Sequence, residues 1–313
     1  MMNNPLVSVI IPNYNHAKFL DERIQSVLNQ TYQNFEVIIL DDKSTDNSVE
    51  LINQYKDNPH ISHIVVNNEN SGSTFKQWHK GFELAKGELI WIAESDDLCS
   101  HNFLEKLVSE FMRDTKCVLS FCRSVMINSD GVMTDIYPSQ KYKNSRICMQ
   151  GRDFIAKEMK FVNLVCNASS AIFKKDVLQE IEKDYMNYQG CGDWLFWIYL
   201  SEQGNVIYIP EIFNYFRMHE GNTTAKHNKD GVNDHEQYLI AKYMLDKKYI
   251  CKMEFVHWGL LRYAWHKRSC PFLKDSIFHN YKKEWKISFI YDLFIIYNRC
   301  LGLLSSLVHK LMI

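Results

Sequence analysis

Val7-Ser8-Val9-Ile10-Ile11-Pro12, followed by Phe35-Glu36-Val37-Ile38-Ile39-Leu40-Asp41-Asp42, decides the fold. Each is a short, β-branched apolar run without polar alternation, the pattern of a strand buried on both faces. Between them Phe19, Leu20, Ile24, Val27 and Leu28 recur at helical spacing. The alternation then continues. Asp46 or Asn47 caps a helix carrying Val49, Ile52 and Tyr55. Ile61 to Val66 reads as a third strand, and a helical segment from about Phe75 to Ala85 ends at Gly87. Glu88 to Ala93 reads as a fourth strand. Ser100 then caps a helix with Phe103, Leu104, Leu107, Val108, Phe111 and Met112 on one face. Strand and helix in strict turn predict an α/β fold, a mainly parallel sheet flanked by helices.

Ligands bind such sheets beyond the carboxyl ends of the strands. Two acidic clusters fall there, Asp41-Asp42 and Glu94-Ser95-Asp96-Asp97. Mg²⁺ and Mn²⁺ prefer oxygen ligands, and one or two carboxylates plus substrate phosphates suffice to hold them. In the second cluster one Asp holds a metal and its neighbour accepts a ribose hydroxyl; the competing reading is an acidic turn that caps the next helix. At the first cluster a carboxylate at a strand end accepts a hydrogen bond from a nucleobase or sugar.

Composition narrows the field. The 313 residues are 46% hydrophobic and 13% aromatic, with formal net charge −1. That suits a globular core and gives no electrostatic reason to bind nucleic acid. The loop Pro12-Asn13-Tyr14-Asn15-His16 lacks the Gly-x-Gly-x-x-Gly of a nicotinamide enzyme. It also lacks the Gly-rich basic loop of a sugar-phosphate nucleotidyltransferase. Nine irregularly spaced Cys without a Cys-x-x-Cys pair, and an N-terminus without a signal-peptide pattern, point to the cytoplasm. His60 and His63 have no matching ligands nearby and read as exposed.

The middle of the chain is less regular. Cys117 to Ile127 reads as a long strand with a turn at Asp130-Gly131, and Leu195 to Glu202 as a helix. Val206 to Ile209 and Ile212 to Phe216 read as two strands around Pro210, and Thr223 to Asp234 as a polar loop.

A resemblance makes the reading specific. Val7-Ser8-Val9-Ile10-Ile11-Pro12-Asn13-Tyr14-Asn15, Ser26 to Tyr32, and Phe35 to Asp46 resemble the opening of family 2 glycosyltransferases. Asn70-Ser71-Gly72 and Ala85 to Ile90 continue the pattern into Ser95-Asp96-Asp97, at the family's Asp-x-Asp position. The resemblance covers about residues 6 to 225. It implies a GT-A fold (Rossmann-like), a nucleotide-diphospho-sugar donor with UDP foremost, Mg²⁺ or Mn²⁺, and inversion at the anomeric carbon. Carried over by position, it puts Pro12 and the adjoining Tyr14 at the base pocket, Asp42 on the base, Asp96 on the ribose and Asp97 on the metal.

Two later segments extend it. In Gly190-Cys191-Gly192-Asp193-Trp194-Leu195, Asp193 matches the general base that takes the acceptor hydroxyl proton. A helix N-cap is the alternative reading. Gly192 stands where an acidic residue is common, and Leu195 where a second Asp is frequent. Phe216-Arg217-Met218-His219 resembles the family's Arg-x-His segment. There His219 ligates the metal or meets the diphosphate, and Arg217 pairs with phosphate. Lys76, in Phe75-Lys76-Gln77-Trp78, touches the diphosphate, while Trp78 either shapes the donor pocket or packs in the core.

The expected organisation is a catalytic domain over 1–225 and a mostly helical extension over 226–313. At the far end Ile290, Phe294, Tyr297, Leu301, Leu304, Val308 and Leu311 form one stripe of an amphipathic helix, interrupted as a span by Asp292 and Arg299. The segment 287–313 therefore docks on the catalytic domain, on a second chain, or on an anionic membrane surface, to which Lys282, Lys283 and Lys286 add charge. The expected partners are a nucleotide-sugar and a glycan or lipid-linked acceptor, used in cell-surface polysaccharide or glycolipid synthesis at the inner face of the cytoplasmic membrane. The alternative is a non-catalytic nucleotide-sugar-binding assembly subunit.

Overall fold

The computed structural model describes residues 4–141, 143–221 and 232–269. They fall in two compact units, divided between Asn222 and Thr223.

The first unit is built on one mixed sheet. Its first half comprises β1 (Val7–Asn13), β2 (Phe35–Asp41), β3 (Ile61–Val66) and β4 (Leu89–Ile92), all parallel, in the order β3-β2-β1-β4. Every residue of β1, β2 and β4 is buried, as unbroken apolar runs require. The helices between them are α1 (Ala17–Leu28), α2 (Ser48–Asn53) and α3 (Thr74–Leu84). Asp46 serves the N-termini of two helices, accepting from Ser48 N at 3.0 Å and Ala17 N at 2.9 Å.

The second half adds β5 (Leu98–Cys99), α4 (Phe103–Arg113), β6 (Cys117–Ile127), β7 (Met133–Ile136), β8 (Ile147–Gln150), β9 (Ala171–Lys174), α5 (Gly192–Ser201) and β10 (Asn205–Arg217). The sheet continues from β4 as β9-β6-β10-β5. β9 runs antiparallel to both β4 and β6, and β6 is parallel to β10. Strands β1, β2, β4, β6 and β10 thus all end at one edge. Val206–Ile209 and Ile212–Phe216 are not two strands but one, with one of its register shifts spanning Pro210 and Glu211. Proline lacks the ladder donor, so it sits at the irregularity.

Helix α4 starts later than its sequence suggests. Asn102 occupies the cap position, while Ser100 Oγ donates to Asn102 Oδ1 at 3.0 Å. Met112 is 40% exposed, and the buried place belongs to Glu110, which pairs with Arg113 and Arg146. His60 is half-buried rather than exposed, stacked on Phe35 with centroids 4.1 Å apart.

Helix α5 is apolar all round and buried from Trp194 to Ser201. Phe196 and Trp197 pack with Trp78, Phe82 and Phe173 in one aromatic cluster. Gly192 is required where it stands: a Cβ there would lie 2.6 Å from the Tyr185 carbonyl oxygen and 2.7 Å from the Phe75 ring. Close approach of the backbone thus explains the missing acidic side chain.

The second unit contains the helices Val232–Asp246 and Lys252–Ser269, with an ion pair of 2.6 Å between Arg262 and Asp234. No helix among the described residues is long and apolar enough to cross a membrane. The stripe expected at 287–313 lies outside the described residues. No disulfide joins two described cysteines.

Candidate active site

The shared strand edge gathers three imidazole and carboxylate groups from distant parts of the chain. His16 follows β1, Asp96 follows β4 and His219 follows β10. Their ligand atoms all lie within 4.8 Å of one another. Gly221 N–H donates to His219 Nδ1 at 3.2 Å, which leaves the proton on Nε2, 3.0 Å from Asp96 Oδ2. His16 Nδ1 lies 2.8 Å from Ser95 Oγ. Phe19 of α1 packs against both imidazoles. Burial opposes ionisation of Asp96, but the His219 hydrogen bond and the field of His16 outweigh it and hold its carboxyl below the usual range. Burial lowers the His16 pKa. One ionised carboxylate and two imidazoles are a donor set that fits a divalent cation.

Asp97 is not part of this group. It is fully buried, and its oxygens accept from Asn167 Nδ2 at 2.8 Å, Ser169 Oγ at 2.7 Å and Arg217 N at 2.9 Å. The carboxylate that stands with His16 and His219 is thus Asp96, whereas the resemblance puts the metal on Asp97. Ser95 and Asp96 form a tight turn closed by Asp97 N–H on the Glu94 carbonyl at 3.2 Å, and the short strand β5, paired to β10 through Leu98 and Tyr215, holds Asp97 inward. Burial and the Asp96 charge raise the Asp97 pKa, against the opposing fields of Arg23 and its hydrogen-bond donors.

Arg217 also departs from expectation. Its guanidinium is 1% exposed and donates to the carbonyls of Asp96, Asn128 and Ser129 and to Glu22 Oε2. It lies over the Phe19 ring, 4.8 Å from the centroid. This cation locks β10, α1 and the turn after β6 around the acidic loop.

Glu94, half-buried, receives Trp78 Nε1–H at 2.8 Å. Trp78 is therefore a core residue with its polar edge at the site. Burial and the Asp96 charge push the Glu94 carboxyl up to about 8 from its usual 4.5. The folded protein thus holds this proton more tightly than the unfolded chain does. The associated stability is full below about pH 4.5 and is lost as pH rises through about 8. The unfolding free energy of the ligand-free protein, from denaturant titrations, is expected to fall over that window. Glu94→Gln should flatten the fall, and an unchanged slope would assign it to other groups.

Asp42 is 5% exposed, and its carboxylate accepts from Asn67 Nδ2 at 2.6 Å, Ser71 Oγ at 2.8 Å, Ser71 N and Gln77 Nε2 at 2.8 Å. It fastens the loop between β3 and α3, and a base N–H reaches it only by displacing one of these donors, since a carboxylate takes about four. Asp41 is likewise engaged, with Asn13 Nδ2 at 2.8 Å and Ser44 N at 2.8 Å. Pro12 is buried in β1, Tyr14 beyond it is 46% exposed, and Lys76 is exposed on α3 with Nζ 3.4 Å from Ser71 O.

Asp193, in the first turn of α5, is half-buried and accepts from Asn163 Nδ2 at 2.8 Å. The loop carrying Asn163 also supplies Asn167 and Ser169 to Asp97. Cys166, between these residues in sequence, feels the charges of both Asp97 and Asp193. Sequence reasoning missed this loop, and it missed His16. The available signal was a run of Asn and Ser (Asn163, Asn167, Ser169, Ser170) among apolar residues, where buried small polar groups must serve as partners.

The fold and site define an α/β protein with a His-Asp-His corner at the carboxyl edge of its sheet, and comparison with known proteins identifies the family. The model of the family described as Glycosyl transferase family 2 matches residues 8–182, and the chain belongs to that family. It is 37% identical over 131 residues to TuaG of Bacillus subtilis, a glycosyltransferase named for teichuronic acid biosynthesis; these are 42% of this chain and 51% of TuaG, so the chain spans about half of that relative. It is 25% identical over 264 residues to WfaP of Escherichia coli, named as a UDP-Glc:alpha-D-GlcNAc-diphosphoundecaprenol beta-1,3-glucosyltransferase, covering 84% of this chain and 97% of WfaP. The crystal structure of S. aureus TarS 1–349 in complex with UDP superposes with TM-score 0.60 at 19% identity, over 84% of this chain and 72% of that one. That likeness shows the GT-A fold.

Proposed function

We propose that the protein is an inverting glycosyltransferase that moves a sugar from a UDP-sugar to a hydroxyl of a glycan or lipid-linked acceptor, using Mg²⁺ or Mn²⁺. The observation that carries this reading is the His16–Asp96–His219 group at the carboxyl ends of β1, β4 and β10. The UDP complex of TarS and the names of TuaG and WfaP support the donor and the polysaccharide setting.

In this mechanism Asp96 and His219 would hold the cation, which would supply neutralisation of charge on the diphosphate leaving group. To serve as a ligand through Nε2, His219 would carry its proton on Nδ1, in place of the contact that Gly221 N–H now makes there. Asp193, oriented by Asn163, takes the acceptor hydroxyl proton. The acceptor oxygen bonds to the anomeric carbon as the carbon–oxygen bond to the diphosphate breaks, and that electron pair leaves with the nucleotide. One displacement inverts the centre. Tyr14 and Lys76 are exposed, so that Tyr14 is free to adjoin the base and Lys76 to meet the diphosphate in this reading. The buried Pro12 and Asp42 fix the walls behind them.

The test is thermal stability against a panel of nucleoside diphosphates with and without Mn²⁺. A ligand that binds only the folded state at 100 times its Kd adds about 2.7 kcal/mol. UDP is expected to raise the melting temperature in the presence of Mn²⁺. The absence of any nucleotide effect would favour an assembly subunit on a borrowed fold.

The domain roles belong to the same proposal: residues 1–225 catalyse in the cytoplasm, and 226–313 dock the enzyme at the inner membrane face. Cosedimentation of the full chain with anionic liposomes, but not with neutral ones, is expected. Protein that stays in the supernatant with both would end the docking reading.

A further inference from the structure

We infer that His16 is a third protein ligand of the cation, giving a site of two imidazoles and one carboxylate that takes transition-metal divalent ions, with Mn²⁺ as the probe, in preference to Mg²⁺. The inference rests on reading the corner beside Asp96 and His219 as the metal site. It concerns a residue that lies outside the acidic motif and the Arg-x-His segment alike.

The geometry has three parts. First, His16 Nδ1 sits 2.8 Å from Ser95 Oγ, on the residue next to Asp96. A ligating imidazole characteristically gives its other ring nitrogen to such a partner, which fixes tautomer and ring direction together. With Nδ1–H donating to Ser95, Nε2 carries the lone pair. Second, the rings of His16 and His219 meet edge to face, with centroids 5.5 Å apart and planes at 89°. Their ligand atoms and that of Asp96 stay within 4.8 Å of one another. The 3.0 Å hydrogen bond between His219 Nε2 and Asp96 Oδ2 already holds these two groups as close as a shared cation would require, and the cation would replace its proton. Third, Phe19 packs against both imidazoles, so an apolar wall fixes their approach.

The chemistry follows from the donor set. Mg²⁺ dehydrates reluctantly and takes oxygen, whereas imidazole nitrogen favours the later divalent metals. A second imidazole therefore shifts selectivity away from Mg²⁺. It also ties the β1 loop, which carries Tyr14, to the loaded cation.

The experiment uses the full chain and Mn²⁺ alone, with free Mn²⁺ measured by electron paramagnetic resonance and Mg²⁺ as competitor. Pulsed measurements of nitrogen-14 couplings count the coordinated imidazoles. Wild type is expected to show two. His16→Ala and His16→Gln should show one and bind Mn²⁺ about tenfold or more weakly, with a reduced preference over Mg²⁺. A wild-type signal from a single imidazole overturns the inference, and that readout depends on no variant. Unchanged Mn²⁺ affinity in both His16 variants, with binding lost in Asp96→Ala, overturns it while leaving the metal site itself in place. If wild type binds no Mn²⁺, the metal reading of the whole corner fails and the role of His16 with it.

Discussion

Asp193→Asn is expected to lower kcat by about 10²- to 10⁴-fold, the usual contribution of a positioned general base. Asn keeps the shape of Asp and still accepts from Asn163 Nδ2, so α5 and its aromatic cluster stay intact. It has no charge with which to take the acceptor proton. Stabilisation by nucleotide and metal should be unchanged, because Asp193 is not in the His16–Asp96–His219 group. Steady-state transfer assays with a UDP-sugar and thermal shifts with UDP and Mn²⁺ check the two halves separately. A variant that retains wild-type turnover would remove Asp193 from the chemistry and leave it as a helix-terminal residue. A variant that loses both turnover and nucleotide response would show a structural role.

The second large effect separates two adjacent acids. Asp96→Ala is expected to abolish the Mn²⁺-dependent part of nucleotide stabilisation, about 2.7 kcal/mol at 100 times Kd. Its baseline stability should change less than that of Asp97→Ala, since the Asp96 carboxylate, 13% exposed, bonds to His219 at the site rather than to backbone and side-chain donors in the interior. Asp97→Ala should do the reverse. It leaves Asn167 Nδ2, Ser169 Oγ and Arg217 N without their acceptor in the interior. Each buried donor so abandoned costs about 1–3 kcal/mol. Its melting temperature should fall sharply before any ligand is added. If Asp97→Ala kept its baseline and lost the metal response while Asp96→Ala did not, the assignment would return to Asp97.

These two acids mark where the sequence stopped being sufficient. Asp96 and Asp97 are chemically identical, and nothing local says which faces the ligand. The choice is made by β5, two residues long and paired to β10 more than 110 positions away. A strand of that length has no periodicity to detect. Arg217 shows the same difficulty in reverse. A basic residue beside His219 suggests a phosphate, but packing on Phe19 and three carbonyls turns it into an internal clasp. His16 was passed over as one residue of a loop, and only the parallel arrangement of β1, β4 and β10 sets it beside Asp96 and His219.

By itself the sequence determined the parallel half of the sheet, because unbroken β-branched runs such as Val9-Ile10-Ile11 and Val37-Ile38-Ile39-Leu40 are stable only when buried on both faces. It also determined that acidic residues lie at the ends of such strands, since Asp41 follows one run directly and Glu94, with Asp96 two residues on, follows another. The tertiary structure alone decided which side chains face one another. It inserted the antiparallel β9 between β4 and β6, so that β10 ends at the same edge as β1 and β4. That placement depends on hydrogen bonds between segments far apart in the chain, which no local pattern of residues encodes.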